Sequence, residues 1–575
     1  DKISKLIPPP KQGFPVDIPK ALKDSPELKN LYDFDADAKK ILDLAHKLEG
    51  SARHISMHAA GVVISPTDMN DFCPVQLETG GVKLITQYEF HMCEEIGLIK
   101  FDILGIRNLA TLARSISLVG GSRGEEVDIR NIPLDNKKTF EMLARGETMG
   151  VFQMGSSGMT KWLKDLKPTR IEDLMAMIAL YRPGPMQTIP EYINRKEHPE
   201  TVEYLDPRME KFLDKSYGLI VYQDDLLFCA IDLAGYSWEE ADKFRKAVGK
   251  KIPAEMAAQK DKFTKGIITN GQTEQFAQKL WKLFEPFQAY GFNKAHASSY
   301  GIVAYQTAYM KANFPVEFMC ALLTDESGDT EKVAEAVAEC KRMGIKVLAP
   351  DINKSQVGFT IEEVEGSLEN KGIRFGLSAI KNVGEAAIET IIEGRKEGPF
   401  RSFGDFFIRV DARKVNKKVL ESLIKAGSFD AFGSRAALLA GIDAIRDQVS
   451  RLKKSGEGQD SLFNVGQEEE EKDLNVAMVD NLPPVEEFSR EEKLALEREL
   501  LGLYLSEHPL STALATLGGR ISHKIGDLSR RSVGQTIVLA GMIASSRVVT
   551  TKNGGKQMAF ATLEDETGSI EIVVF

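Results

Sequence analysis

One aspartate stands in the middle of an apolar run. In GLIKFDILGIRNL, Gly97 to Leu109, Asp102 is surrounded by Ile99, Phe101, Ile103 and Leu104, with Lys100 two residues before it. The run is short, branched and bounded by glycine, which predicts a buried or half-buried strand. An ionised carboxylate in such a place is costly unless it is paired or holds a metal. The chemistry to look for is therefore a carboxylate–cation or carboxylate–metal site, and Asp102 needs partners. The most obvious acidic cluster does not supply them. YDFDADAKK sets Asp33, Asp35 and Asp37 at alternate positions, as a metal-binding strand would, yet Ile41, Leu42, Ala45 and Leu48 then recur at helical spacing and Gly50 stops the pattern. Aspartates in front of a helix cap its free N–H groups and suit its dipole, so these three are read as caps.

The cations are gathered elsewhere. ADKFRKAVGKKIPAEMAAQKDKF holds Lys243, Arg245, Lys246, Lys250, Lys251, Lys260 and Lys262. Taken alone, such a run is as readily a solvated face as a phosphate site. YGFNKAHASSYGIVAYQTAYMKANFP interleaves Tyr290, Phe292, Tyr300 and Tyr305 with Asn293, Lys294, His296, Ser298 and Ser299. Cations there suit phosphates, and flat rings suit bases. ALYRPGPM fixes Arg182 between a helix end and two prolines, a stiff mount for a guanidinium. Together the three stretches point to a helical domain that binds a polyanion. Further on, GLSAIKNVGEAAIETIIEGRKEGPF predicts a helix-hairpin-helix, with Asn382, Val383 and Gly384 as the hairpin and Ala386 to Ile392 as the second helix. Such a hairpin aims backbone N–H groups at a DNA phosphate. An ordinary αα-hairpin is the other reading. In GQDSLFN, residues Gln459, Asp460, Ser461, Leu462 and Phe463 set two apolar side chains in a polar linker. This suits a peptide that docks into a partner's pocket, or a local anchor.

The elements that must carry these groups are spread over 575 residues, too many for one core and enough for roughly three to five domains. The formal net charge of −10 argues against a uniformly basic coat but permits a basic groove on an acidic body. Five separated cysteines with no CxxC pair give neither a zinc site nor a disulfide framework and suit a reducing cytoplasm. There is no signal peptide and no apolar run long enough to span a membrane. The chain starts without methionine and stops inside a strand-like stretch, so it reads as part of something longer. HAAGVVIS and LITQYE read as strands, residues 108–330 as mostly helical, Gly344–Ser355 as strand and turn, and residues 370–440 as helical again. Arg451–Pro484 reads as an exposed linker. SREEKLALERELLGLYL is a helix with Ser489 as N-cap and Glu492 at the capping-box position. Residues 535–575 alternate as short antiparallel strands, like the first part of an OB-fold, with Arg547 and Lys552 near its exposed surface.

In this order, RHISMHAAGVVIS, GLIKFDILGIRNL, GVFQMGSSGM, ALYRPGPM, GLIVYQDDL, FRKAVGKK, AYGFNKAHASSY and GLYLSEHPL resemble the α subunits of bacterial DNA polymerase III, the replicative C-family polymerases. The resemblance covers essentially the whole chain. It implies an α+β multidomain fold with a partial palm sheet of the polymerase-β-like nucleotidyltransferase type, mostly helical fingers, a helix-hairpin-helix region and a partial OB-fold β-barrel. The implied domains are the end of the thumb (1–57), the C-terminal part of the palm (58–107), fingers (108–355), helix-hairpin-helix and clamp-binding region (356–445), a linker with a clamp-binding peptide (446–487), a helical connector (488–534) and the partial OB-fold (535–575). In the family, three palm aspartates hold two Mg²⁺ ions for nucleotidyl transfer to a primer 3′-hydroxyl. By resemblance Asp102 is the third of these, the other two and a PHP domain lying upstream in family members, so this chain alone is expected to be inactive. Lys100 would offset negative charge at the primer end or triphosphate. Arg53, Ser56 and His58 would line the triphosphate, and Arg182, Arg245, Lys246, Lys250, Lys251, Asn293, Lys294 and His296 would face nucleotide and template. Gln459 to Phe463 resemble the family's sliding-clamp peptide. The partners implied are primer–template DNA, dNTPs, the sliding clamp (the β subunit) and other replicase holoenzyme subunits, in the cytoplasm at replication forks and without a membrane. YQDDL departs from the pattern: Asp224 and Asp225 stand where a glutamate and then a neutral residue are usual, and their charge would weaken a phosphate contact. A non-catalytic scaffold binding DNA and the clamp is the alternative to a polymerase.

Overall fold

The computed structural model describes residues 2–8, 16–51, 54–250, 253–284, 291–456, 482–506, 517, 519–528, 534–550, 557–565 and 568–574. The chain divides into two compact units, Asp1–Ile106 and Arg107–Phe575. Helices dominate, and the strands form small sheets of two or three among the described residues, an α+β arrangement.

After a short helix at Lys2–Leu6, the first unit has three capped helices, α1 (Ile18–Asp24), α2 (Pro26–Phe34) and α3 (Ala36–Leu48). Ile18, Ala21, Leu28 and Leu42 form their small common core. The acidic cluster is a cap, as its sequence implies: the Asp35 carboxylate accepts from the Asp37 and Ala38 N–H groups, each at 3.0 Å. Asp33 instead pairs with Lys29 one turn away, at 2.9 Å. The two aspartates should therefore differ on substitution. Asp35→Ala is expected to cost about 1 kcal/mol of stability in urea unfolding, and Asp33→Ala only a few tenths. Equal costs would contradict the cap assignment.

Four short strands follow, β1 (Gly61–Ile64), β2 (Val75–Leu77), β3 (Leu84–Thr86) and β4 (Ile99–Asp102). β2 pairs with β3, and β1 pairs antiparallel with β4 in the register Gly61↔Asp102, Val62↔Phe101, Val63↔Lys100 and Ile64↔Ile99. Because side chains alternate across a sheet, Asp102 and Lys100 share one face with Val63. Val63 packs on Cys73, Cys93 and Leu98. The opposite face is wholly apolar and open: Val62, Ile64, Ile99 and Phe101 are 48 to 59% exposed. The expectation of a buried or half-buried strand is thus corrected. Residues of β4 lie mainly at the surface because the two-stranded sheet has a core on one face and no covering layer on the other within this unit.

The second unit is built on two consecutive helices. α4 (Arg107–Arg123) and α5 (Ile171–Leu180) come first in the chain; α6 (Gln223–Phe228), α7 (Trp238–Lys250), α8 (Lys294–Asn313) and α9 (Pro315–Asp325) follow. α8 packs on α5 and α9 on α4. Every residue of α9 from Pro315 to Leu323 is buried. A helix apolar all round belongs inside a large core. The approach of α8 to α5 depends on Gly301, where a Cβ would lie 2.6 Å from Met175 Cγ. Inside this core Glu317 is fully buried and ion-paired, accepting from Arg123 Nε, Ser122 Oγ and Lys371 Nζ at 2.9, 2.7 and 3.0 Å.

Two smaller sheets complete the unit. In the first, β7 (Lys371–Arg374) pairs with β5 (Val347–Leu348) in parallel and with β6 (Thr360–Glu363) antiparallel. Residues 371–374 are thus strand, where the sequence reading began a helical region at 370. Gly372 and Ile373 are buried in this pairing, so tertiary packing overrides the helical composition that follows. The second helix of the hairpin, α10, runs Glu385–Gly394, and before the turn stands only a 3₁₀ segment, Leu377–Ala379. α11 (Arg490–Leu501) starts with the Ser489/Glu492 capping box. β8 (Met542–Thr550), β9 (Gln557–Asp565) and β10 (Gly568–Val574) form an antiparallel sheet in the order β10-β9-β8. No helix among the described residues is long and apolar enough to cross a membrane.

Candidate active site

In the first unit the chemistry centres on Asp102. Its Oδ1 lies 3.2 Å from Lys100 Nζ and 3.8 Å from His58 Nε2. The Lys100 side chain is largely covered, with its ammonium 4.3 Å above the Phe90 ring, whereas the Asp102 side chain is 44% exposed. His58 Nδ1 accepts from the Ala60 N–H at 3.1 Å, which in the neutral ring leaves the proton on Nε2, facing Asp102. Gly61 makes room for this ring: a Cβ there would meet His58 Cγ and Nδ1 at 3.0 Å. Ser56 is exposed nearby in sequence, and Arg53 lies outside the described residues. An exposed pair of this kind contributes about 1 kcal/mol or less to stability. Among the described residues its second oxygen takes no hydrogen bond, which leaves it open to a ligand. As a metal ligand, Asp102 offers one carboxylate with the Lys100 ammonium and the His58 imidazole beside it. Among the described residues no three acidic, histidine or cysteine side chains converge as a metal set. Asp102 thus fits as a share of a metal site and does not complete one.

In the second unit Arg182, Asn293, Lys294 and His296 come together around two rings, and Arg245 joins them through the Gln223 side chain. The Arg182 guanidinium lies 4.2 Å over the Phe292 ring, and the Lys294 ammonium 5.5 Å from the centre of Tyr222. Phe292, His296 and Tyr300 follow one another at 5.1 and 4.1 Å between ring centres. Asn293 is the N-cap of α8, its side chain accepting from the His296 N–H at 2.9 Å. Tyr222 and Phe292 themselves are buried and form a parallel β-bridge, so the platform is rigid. Arg245 and Lys246 share Asp242, at 2.7 and 2.8 Å. Lys250 ends α7, the placement of its side chain and of Lys251 lying outside the described residues. Tyr305, read from the sequence as a stacking ring, is corrected to a core residue. It is fully buried, its hydroxyl donating to the Pro133 carbonyl and accepting from the Asn136 N–H.

Residues passed over in the sequence hold this cluster in place. Gln223 donates from Nε2 to the Gly291 carbonyl at 2.6 Å, and its Oε1 accepts from Arg245 at 3.2 Å. The Asp224 carboxylate accepts from the Lys294 N–H at 2.8 Å. Asp225 accepts from the Val221 and Tyr222 N–H groups at 2.9 and 2.8 Å, and burial pushes its carboxyl up to about 7 against those two hydrogen bonds. Its Oδ1 is buried with no partner among the described residues. Both carboxylates thus accept from backbone N–H groups. The signal was available: acids at a helix start, as at Asp35, favour capping.

At the hairpin, Asn382 has φ +67° and donates from Nδ2 to Ser422 Oγ at 3.3 Å. The Val383 side chain is buried and its N–H donates to the Ile380 carbonyl, so Val383 shapes the turn. Gly384 caps α10 with open space around it. The stretch Gln459, Asp460, Ser461, Leu462 and Phe463 lies outside the described residues.

Three family models match the chain: the bacterial DNA polymerase III alpha NTPase domain over residues 1–105, the bacterial DNA polymerase III alpha subunit finger domain over 108–271, and a helix-hairpin-helix motif over 344–438. Among curated proteins, the chain is 41% identical to a DNA polymerase III subunit alpha from Thermus aquaticus over 584 aligned residues, covering all of this chain and 46% of that protein. It is 39% identical to the subunit of the same name from Escherichia coli strain K12, covering 50% of it, and 40% identical to that of Deinococcus radiodurans, covering 44%. The chain spans about half the length of the curated relatives it matches.

Proposed function

Because this chain belongs to the bacterial DNA polymerase III α-subunit family, we propose that it is the nucleotide-selecting part of a replicative polymerase, which adds dNMPs to a primer 3′-hydroxyl and releases pyrophosphate. The observation that carries this reading is the gathering of Arg182, Lys294 and His296 at the Tyr222–Phe292 platform, with Arg245 joined to it through Gln223. Two cations lie over flat rings there, while Asn293 and Asp224 tie down the start of α8. A triphosphate needs fixed cations, and a base needs a flat neighbour. Lys294 and Arg245 would hold phosphate oxygens, with His296 and Tyr300 beside the base or sugar. Mg²⁺ is the metal this chemistry calls for; when bound, a pair of ions would acidify the 3′-hydroxyl and neutralise the triphosphate. Asp102 would supply one ligand oxygen, and Lys100 would offset negative charge at the primer end or triphosphate. Ser56 and His58, with Arg53, are proposed to line the triphosphate on the same unit.

The remaining assignments belong to the same reading. Asn382 and Gly384 would present the hairpin to a DNA phosphate, Gln459 to Phe463 would dock on the sliding clamp, and β8 to β10 would start an OB-fold. The thumb, palm, fingers and connector partition is proposed with them, as is a place at the replication fork beside other holoenzyme subunits. A scaffold without catalysis would need neither Asp102 nor a pre-arranged cation cluster, so we prefer the polymerase.

The test is single-nucleotide primer extension by the natural full-length protein with Mg²⁺. Template-directed incorporation is expected, and Lys294→Ala should raise the KM for dNTP roughly 10- to 100-fold, the worth of one charge-assisted hydrogen bond. Absence of incorporation by the unaltered protein would overturn the reading.

A further inference from the structure

The cluster on α8 is joined to α6 and α7 through the side chains of Gln223 and Asp224. Gln223 is the junction. Its backbone N–H donates to the Phe292 carbonyl at 2.9 Å, its side-chain amide donates to the Gly291 carbonyl, and the same amide accepts from Arg245. Three chain segments meet on one residue. Gly291 is fitted to it: a Cβ at Gly291 would stand 2.6 Å from Gln223 Cγ. Next in sequence, Asp224 holds the first N–H of α8, and Asn293 holds the third. With both fixed, the helix start that carries Lys294 and His296 cannot slide relative to α6.

We infer that Gln223 and Asp224 are positioning residues for the incoming nucleotide, Gln223 by locking Arg245 and the Gly291–Phe292 turn to one amide, and Asp224 by holding the start of α8. This rests on the nucleotide reading above. The carboxylate of Asp224 acts as a hydrogen-bond acceptor, and its charge is incidental. That separates the inference from any role as a metal ligand or base. An amide at position 224 should serve as well, and a methyl should not.

The experiment measures KM for dNTP, kcat and primer–template affinity in the full-length polymerase carrying Gln223→Ala, Gln223→Glu, Asp224→Ala, Asp224→Asn, Arg245→Ala and the double variant Gln223→Ala/Arg245→Ala. Misplacement of a binding group by about 1 Å costs up to roughly 100-fold, so Gln223→Ala is expected to raise KM 10- to 100-fold with primer–template affinity unchanged. The double variant should be no worse than the more damaged single, because both remove one linked interaction. Asp224→Asn should stay close to the unaltered enzyme, and Asp224→Ala should not. Should Gln223→Ala fail to fold, Gln223→Glu decides: it keeps the acceptor for Arg245, loses the donor to Gly291, and should raise KM less. An unchanged KM in the Gln223 variants, multiplying effects in the double, or Asp224→Asn as damaged as Asp224→Ala would overturn the inference while Arg245→Ala still raises KM. If Arg245→Ala also leaves KM unchanged, the nucleotide reading fails and takes the inference with it.

Discussion

Asp102→Asn in the full-length protein is expected to lower the rate of nucleotide incorporation by roughly three powers of ten, since a ligand to a catalytic metal governs several kcal/mol of transition-state stabilisation. The substitution keeps the size of the side chain while it removes the charge and replaces one acceptor oxygen with an NH₂ donor. The fold should hardly notice it. Asp102 is half exposed and its pairing with Lys100 lies at 3.2 Å on an open strand, so unfolding should shift by less than about 1 kcal/mol. The two readouts therefore separate a metal ligand from a structural ion pair. Full activity in Asp102→Asn would return the residue to the role of a surface partner for Lys100 and His58. Rate and primer–template affinity should be measured together, because the substitution is expected to leave DNA binding intact.

Glu317→Ala is expected to show the reverse pattern, a loss of stability with no direct loss of chemistry. Its carboxylate is fully buried and bridges Arg123 and Lys371, whose side chains are themselves mostly covered. Removing it takes the shared acceptor from Lys371 and Arg123 beside the α4–α9 packing, with Arg123 keeping its pairing to Glu369, a change that costs about 3 kcal/mol. Glu317→Gln should cost less, because the amide oxygen still accepts from Ser122 or Arg123. The same group sets an acid limit. Burial alone would raise the carboxyl, but hydrogen bonds from Arg123, Ser122 and Lys371 outweigh it and hold it at about 2. A depressed folded-state value means that the stabilisation is complete above the ordinary value of 4.5 and is lost as pH falls toward 2. Denaturant midpoints measured through that window should fall in the unaltered protein and stay flatter in Glu317→Gln. Identical pH slopes in the two proteins would contradict the assignment.

Local rules carried much of the architecture. The caps at Asp35 and Ser489, the stop at Gly50, the strand–turn at Gly344–Ser355 and the antiparallel pairing of residues 542–574 each follow from neighbours within a few positions. What failed was whatever depended on distant partners. The alternation around Asp102 showed that two faces exist, one apolar, but an apolar face does not say what covers it. Tyr305 resembled the other aromatic residues of its stretch until the carbonyl of Pro133, 172 residues earlier, claimed its hydroxyl. The Gln223–Gly291 and Asp224–Lys294 bonds span 68 and 70 residues, so a pair of charges that looked hostile to a phosphate is bound to backbone N–H groups instead. The members of the cation cluster were visible in three separate stretches, around Arg182, Arg245 and Lys294, but their joining through α6 was not.

Photocrosslinking asks most directly whether the α8 cluster receives the nucleotide. The full-length protein, held on primer–template with Mg²⁺ and a photoreactive azido-dNTP, would be illuminated, digested and its labelled peptides sequenced. Label is expected on the peptides that carry Arg182, Arg245 and residues 291–300, and the matching natural dNTP should compete it away. Competable label confined to other peptides would contradict the assignment of this cluster as the nucleotide site.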